Sequence, residues 1–278
     1  MEIKITTLSE NTANRGGFIG EWGLSILVDT GDLKILMDTG MSFSTVYNAQ
    51  LLKIDLSGID KIVLSHGHYD HTGGLRKVLE RAGGKDIIGH PDIFSPKYGK
   101  LPDEPEHYVG MPFTRDILDS LGANFTLTKE PVHITDNIMT TGEIPLSTTY
   151  EAVDSGLFIK QDNKVQPDQL ADDLALIIDS DFGLVIILGC AHRGIVNTIR
   201  RAQQLTGKEL VYAVIGGTHL FRASAERIEQ TITDLKGIGI QMLGPSHCTG
   251  FKAARRLAQE FPDSFFLNHA GTSFTLPK

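Results

Sequence analysis

Between Leu64 and Leu75 the chain reads LSHGHYDHTGGL, which places His66, His68, Asp70 and His71 within six residues, directly behind the apolar run Lys61–Leu64. Neutral imidazoles with a carboxylate make a donor set for a borderline divalent ion such as zinc, and equally for manganese or iron; calcium and magnesium cages are built from oxygen. His66 and His68 stand two residues apart in an extended turn, so both can reach one ion from the same side. Asp70 and His71 turn toward a second position nearby, and Gly67, Gly73 and Gly74 are expected to give the backbone the freedom this path needs. Two adjacent ions can share a water, lower its pKa toward about 7, and hold both the attacking and the leaving oxygen of a displacement. The plain alternative is a structural zinc site. Such sites are closed and usually rich in thiolate, and this motif has no cysteine.

These residues need a scaffold, and four segments are built alike: KIVLSHGHYDHTGGLRKVLERAGG, FGLVIILGCAHRGIVNTIRRAQQLTG, VYAVIGGTHLFRASAERIEQTITDLKGIG and IQMLGPSHCTGFKAARRLAQEFP. Each runs from an apolar strand through a Gly/His turn into an amphipathic helix. In the third, the helical phase shows in Ile228, Ile232 and Leu235, with Gly237 as the expected stop. Residues just beyond the carboxyl ends of strands line the ligand crevice of an α/β sheet, so His66, His192, His219 and His247 are expected to converge if their strands are neighbours. Two further strand ends supply Asp38, in MDTG, and His269, in FFLNHAG. Convergence would also aim several helix N-termini at one place and favour a bound anion.

The N-terminal third carries strand-like EIKITTL, LSILVDTG and LKILMDTG, then a helix around Val46 to Ile54. LALIID and FGLVIILG read as adjacent buried strands. From Pro91 to Pro167 the pattern weakens, and this stretch, which holds eight of the eleven prolines, is read as an insertion or lid around 91–167 within a single domain over 1–278. Hydrophobic content of 41% and charged content of 22% describe an ordinary globular protein with no apolar run long enough for a bilayer. The N-terminus MEIKITTLSEN lacks the regions of a signal peptide, so the expected location is the cytoplasm. A net charge of −8 disfavours nucleic acid and anionic membrane as partners and points to a small-molecule substrate. Two cysteines, Cys190 and Cys248, cannot make a disulfide framework.

HGHYDH at residues 66 to 71 resembles the His-x-His-x-Asp-His motif of the metallo-β-lactamase superfamily. The resemblance extends over nearly the whole chain and implies a four-layer αββα sandwich with a two-metal site along one edge of the sheets. It implies His66 and His68 on the first ion, Asp70 and His71 on the second, Asp38 behind them, and His247 as the last ligand of the second ion. Many relatives have a bridging aspartate in a Gly-Asp pair; here that pair is Gly189-Cys190, so Cys190 stands as a substitute and His192 completes the first ion. GCAHRGIVNTI, IGGTHL and PSHCTG resemble the subgroup that includes dihydropterin ribofuranosylaminobenzene phosphate synthase, which joins a dihydropterin diphosphate to an aminobenzene ribose phosphate and releases diphosphate. The implied function is therefore a metal-dependent enzyme acting on a small phosphate-containing metabolite. A general hydrolase of phosphodiesters, thioesters or lactones and a non-catalytic metal-dependent binding protein are the alternatives.

Asp70 is expected to orient the reacting water as well as bind metal. His219 is either a proton donor to the leaving group or a fixture of its turn. Arg193 and Lys252, near helix N-termini, are candidates for a substrate phosphate, although exposed cations there need no such purpose. Asp172 and Asp173 would hold a ligand histidine or cap a turn. Cys248 reads as a core thiol, His90 and His269 as structural or solvated, and His107 and His133 as surface residues.

Overall fold

A computed structural model describes residues 2–100, 105–162 and 164–277. The first large sheet takes β1 (Ile3–Ser9), β2 (Ser25–Asp29), β3 (Lys34–Met37), β4 (Lys61–Val63) and β5 (Lys85–Gly89). β6 (Lys97–Gly99) and β7 (His107–Tyr108) start a small separate sheet, and β8 (Ala123–Leu127) returns to pair in parallel with β5. β9 (Ile138–Thr140) opens the second large sheet, while β10 (Leu157–Gln161) and β11 (Lys164–Pro167) complete the small one. The second large sheet is then filled by β12 (Ala175–Ser180), β13 (Gly183–Leu188), β14 (Val211–Gly217) and β15 (Met242–Ser246). β16 (Ser273–Leu276) closes back antiparallel on β1. Seven strands therefore lie in the order β16-β1-β2-β3-β4-β5-β8, and five in the order β15-β14-β13-β12-β9.

Helices α1 (Ser44–Leu51), α2 (Tyr69–Thr72), α3 (Leu75–Ala82) and α4 (Arg115–Ser120) come from the first half, and α5 (Ile195–Thr206), α6 (Ala225–Ile238) and α7 (Gly250–Glu260) from the second. Strand alternation builds three apolar interfaces from these parts. Along β13, Val185 and Ile187 face the other sheet, while Leu184, Ile186 and Leu188 face α5, α6 and α7. Along β3, Ile35 and Met37 enter the space between the sheets and Leu36 packs toward α1 and α3. This is the four-layer αββα sandwich. Each fully buried Ile or Leu of these interfaces contributes about 1.5–3 kcal/mol.

Three details depart from the expectations. α6 runs through Gly237 and stops at Gly239, which takes the left-handed backbone at φ 78°, because Ile238 still packs on the core and extends the helix by half a turn. FFLNHAG is not a strand: its only strand-like pairing with β15 among the described residues is the isolated bridge between Leu243 and Phe265, beside the Phe266 N–H to Leu243 carbonyl bond and the Asn268 to Ser246 contact. Residues 91–167 are also more than one separate piece. β6, β7, β10 and β11 stand apart as the small sheet, but β8 and β9 are edge strands of the two large ones. Among the described residues no helix is long and apolar enough to cross a membrane.

Candidate metal centre

β13, β14 and β15 are consecutive parallel neighbours, so the turns that follow them carry His192, His219 and His247 to one edge of the sandwich. β4, from the facing sheet, delivers His66 to the same edge, and the single turn of α2 presents Asp70 and His71. The three motif glycines serve close approach rather than unusual backbone angles. A Cβ on Gly67 would lie 2.3 Å from the Ile93 carbonyl oxygen, and one on Gly74 2.0 Å from that of Thr39. By contrast Asp38, Ala191, His219 and His247 adopt left-handed backbone, with φ of 58°, 49°, 47° and 51°. Non-glycine residues enter this region at a cost of order 1–3 kcal/mol, and such residues gather at functional sites.

The hydrogen bonds indicate which ring nitrogen of His66, His71 and His247 carries its lone pair. The Asp38 carboxylate accepts from the Ser65 N–H at 2.7 Å, the Ser65 hydroxyl at 2.6 Å and His71 Nδ1 at 2.6 Å. With its proton given to Asp38, the Ser65 oxygen accepts from His66 Nδ1 at 2.8 Å. His247 Nδ1 donates to Asn11 Oδ1 at 2.9 Å, and Glu10 Oε1 accepts the His247 backbone N–H at 2.7 Å. The Nε2 atoms of His66, His71 and His247 are thus all left as acceptors. His66 Nε2 faces His68 Nδ1 at 3.1 Å and His192 Nε2 at 3.2 Å. His71 Nε2 faces His247 Nε2 at 3.2 Å and the Cys190 sulfur at 3.0 Å, and Asp70 Oδ2 lies 3.3 Å from His247 Nε2. Lone pairs held this close repel unless a cation lies between them. The donors fall into two adjoining groups, His66/His68/His192 and Asp70/His71/His247, and Cys190 reaches members of both. Imidazole, carboxylate and thiolate at this spacing fit divalent ions of the zinc class.

Burial favours the neutral rings that metal ligation needs. Desolvation, with neighbouring imidazoles adding to it, holds His66 and His192 well below their ordinary pKa, and it brings His68 down to about 3 despite Asp70. Burial alone would also depress His71, yet Asp38 and Asp70 overcome it and raise its pKa to about 9. Burial would raise Asp70, but His71 and His247 hold its carboxyl below the usual carboxylate range. Burial pushes the Cys190 thiol up, with the nearby Cys248 adding to it.

A pocket opens over this floor, with Trp22, Tyr69, Val109, Leu157 and Phe221 among its walls. Trp22 meets the His247 ring edge-on at 5.2 Å between centroids. His219 lines the pocket, its ring 4.0 Å from that of His192, and neither of its ring nitrogens has a hydrogen-bond partner. Cys248 also lines it, its sulfur accepting the His219 backbone N–H at 3.2 Å. His107, read as a surface residue, sits at the rim on β7. His269 and His90 lie elsewhere, and His90 pairs with Glu143 at 3.1 Å.

The two proposed phosphate cations are not brought to the pocket. Arg193 spends its guanidinium on the carbonyls of Ile144 and Gln169, and Lys252 projects exposed from α7. The N-terminus of α5 is likewise occupied from within: the Glu151 carboxylate accepts from the N–H groups of Val196 at 2.9 Å and Asn197 at 2.8 Å. Sequence reasoning missed a buried relay. Lys97 on β6, 1% exposed, donates to Asp168 and Asp172 at 2.8 Å each, and Asp172 accepts the Gly67 N–H at 2.8 Å. One of the two lysines of SPKYGK carries no signal for this. Glu10, Asn11 and Trp22 were equally silent.

A family model of the metallo-β-lactamase superfamily matches residues 23–199. The 7,8-dihydropterin-6-methyl-4-(β-D-ribofuranosyl)-aminobenzene-5'-phosphate synthase of Methanocaldococcus jannaschii is 35% identical over 97% of this chain and 95% of its own. The crystal structure of a metal-dependent hydrolase of the β-lactamase superfamily superposes with a TM-score of 0.85 at 27% identity, over 98% of both chains. Zinc-bound PqqB from Methylobacterium extorquens, at 12% identity and a TM-score of 0.57 over 98% of this chain and 99% of its own, shares the fold. With the family model spanning more than half of the chain and the order of layers agreeing with it, the chain belongs to the metallo-β-lactamase superfamily.

Proposed function

We propose that the chain is an enzyme that holds two divalent ions and acts on a small phosphate-containing metabolite, joining two molecules with release of diphosphate as its M. jannaschii relative suggests. The carrying observation is the convergence of acceptor nitrogens from His66, His71 and His247 beside Asp70, Cys190 and His192 at a pocket floor. His66, His68 and His192 hold the first ion; Asp70, His71 and His247 hold the second, and Cys190 lies between them. When bound, the ions lower the pKa of water and stabilise charge on a leaving oxygen. Asp38 orients one ligand of each group through Ser65 and His71. Asp70 orients the reacting oxygen, and His219, its ring nitrogens unpartnered, hands a proton to the leaving group. The small sheet covers the pocket, supplying Gly99, His107 and Leu157 to its wall.

A second reading is hydrolysis of a phosphodiester, thioester or lactone, and the close likeness to a metal-dependent hydrolase supports it. Both readings are tested by metal content and by turnover of zinc- and manganese-loaded protein on pterin diphosphates, phosphodiesters, thioesters and lactones, with diphosphate release measured alongside. Two ions per chain, lost together with turnover in His68→Ala and Asp70→Ala variants that still fold, is the expected result. Turnover retained by a metal-free double variant rejects the proposal.

A further inference from the structure

The pocket over the metal centre does not end at His219. It continues into a wider basin with a cavity volume of about 700 Å³, within the range of small-molecule sites. Lys100, Asp154, Gly156, His219 and Arg222 line both spaces, and Arg227 lies in the outer wall. Three cations therefore meet one carboxylate there. That carboxylate, Asp154, is turned to the Gly156 N–H at 2.8 Å.

Arg227 is the unusual member. One arm of its guanidinium donates to the Ala152 carbonyl at 2.9 Å, while its Nε and Nη2 are buried with no acceptor. Neighbouring Glu151 acts on Arg227 through its charge, but its oxygens are turned to the N–H groups of α5 and do not reach the two unmet donors. A buried cation with two unmet donors is costly, and an oxyanion is the chemistry that satisfies it. Arg227 lines the basin, so its unmet donors belong to a residue of that wall. Arg222, held over the Phe221 ring at 4.9 Å, stands where pocket and basin meet.

We infer that this basin is the subsite for a phosphate ester carried by the substrate away from the reacting bond, with Arg227 and Arg222 as its recognition residues and Lys100 at its rim. Phosphate offers enough acceptor oxygens for both guanidinium forks and the ammonium. The inference rests on the reading of the metal centre as the reacting site, yet the anion site itself needs no ion. It moves the phosphate role from Arg193 and Lys252, which face elsewhere, to α6 and the turn before it.

The test is calorimetric titration of inorganic phosphate into the full chain, as wild type and as Arg227→Leu, Arg227→Lys, Arg222→Leu and His68→Ala. The expected result is a Kd about 10- to 100-fold weaker in Arg227→Leu, as for a lost charge-assisted bond, with His68→Ala staying within about threefold of wild type. Arg227→Lys keeps the charge but not the fork and guards against misfolding; it and the exposed-site variant Arg222→Leu are expected to weaken binding about tenfold at unchanged melting temperature. In turnover assays phosphate should compete with the substrate. Absence of phosphate binding, binding lost in His68→Ala but intact in Arg227→Leu, or phosphate that changes kcat without competing, as a free effector would, overturns the inference. A chain without metal or turnover that still binds phosphate through Arg227 would reject the enzyme reading and keep the anion site.

Discussion

Replacing Lys97 by methionine should uncouple the small sheet from the metal loop, and the size of the effect follows from the geometry. The ammonium is buried between Asp168 and Asp172 at 2.8 Å from each, so its loss strands two carboxylates without a counter-charge. Breaking a buried ion pair from one side costs about 3–5 kcal/mol. Each carboxylate keeps one backbone partner, Leu170 N–H for Asp168 and Gly67 N–H for Asp172, which holds the cost within that range. At about 2–4 °C per kcal/mol, melting should fall by at least about 6 °C. Burial already raises the pKa of Asp168 above its ordinary value even with Lys97 present. For a carboxyl raised in the folded state, stability is full below the unfolded value of 3.8 and is lost as pH rises through the folded one. With Lys97 gone that folded value climbs further, so the deficit of Lys97→Met should shrink as the buffer is made more acidic. Adding Asp168→Asn and Asp172→Asn should restore most of the melting temperature, since a neutral network replaces the stranded charge. The loosened Gly67 loop should weaken zinc binding about 10- to 100-fold. Calorimetric melts at several pH values and a competitive zinc titration measure both effects. A melting temperature within about 2 °C of wild type, or unaltered zinc affinity, would refute the relay.

Other expectations are simpler. Cys190→Ala should weaken the second bound ion and remove the thiolate-to-metal absorption of cobalt-substituted protein; an unchanged spectrum would show that the sulfur is not a ligand. His219→Asn should lower kcat about 10²- to 10⁴-fold at full metal content, measured by mass spectrometry and turnover. Glu151→Ala removes the cap of α5 and should cost about 1–2 kcal/mol in chemical denaturation.

The repeated strand, turn and helix units could be read because each writes its period into the residues: the continuous apolar run of β13 and the Ile228, Ile232 and Leu235 stripe of α6 are both local. The convergence of His192, His219 and His247 also followed, since parallel neighbours deliver their turns to one edge; His66 reaches that edge from the facing sheet, which strand order alone does not give. What could not be read depends on contacts between distant segments. Lys97 looks like any lysine until two aspartates more than seventy residues away enclose it. Arg193 lies near the start of a helix, as a phosphate ligand would, yet carbonyls from the two preceding loops claim its guanidinium. Gly237 and Gly239 both offer a helix stop, and only the packing of Ile238 chooses between them. β8 and β9 were hidden because edge strands of three to five residues in a proline-rich stretch show too little alternation to register.

The left-handed backbone at His219 and His247 sets folding robustness against chemistry at the same atoms. Glycine would relax either turn at no steric cost while deleting the imidazole. Under the proposed function, heat resistance and turnover ask for opposite residues there, so that a variant selected for endurance alone should exchange these two histidines for glycine.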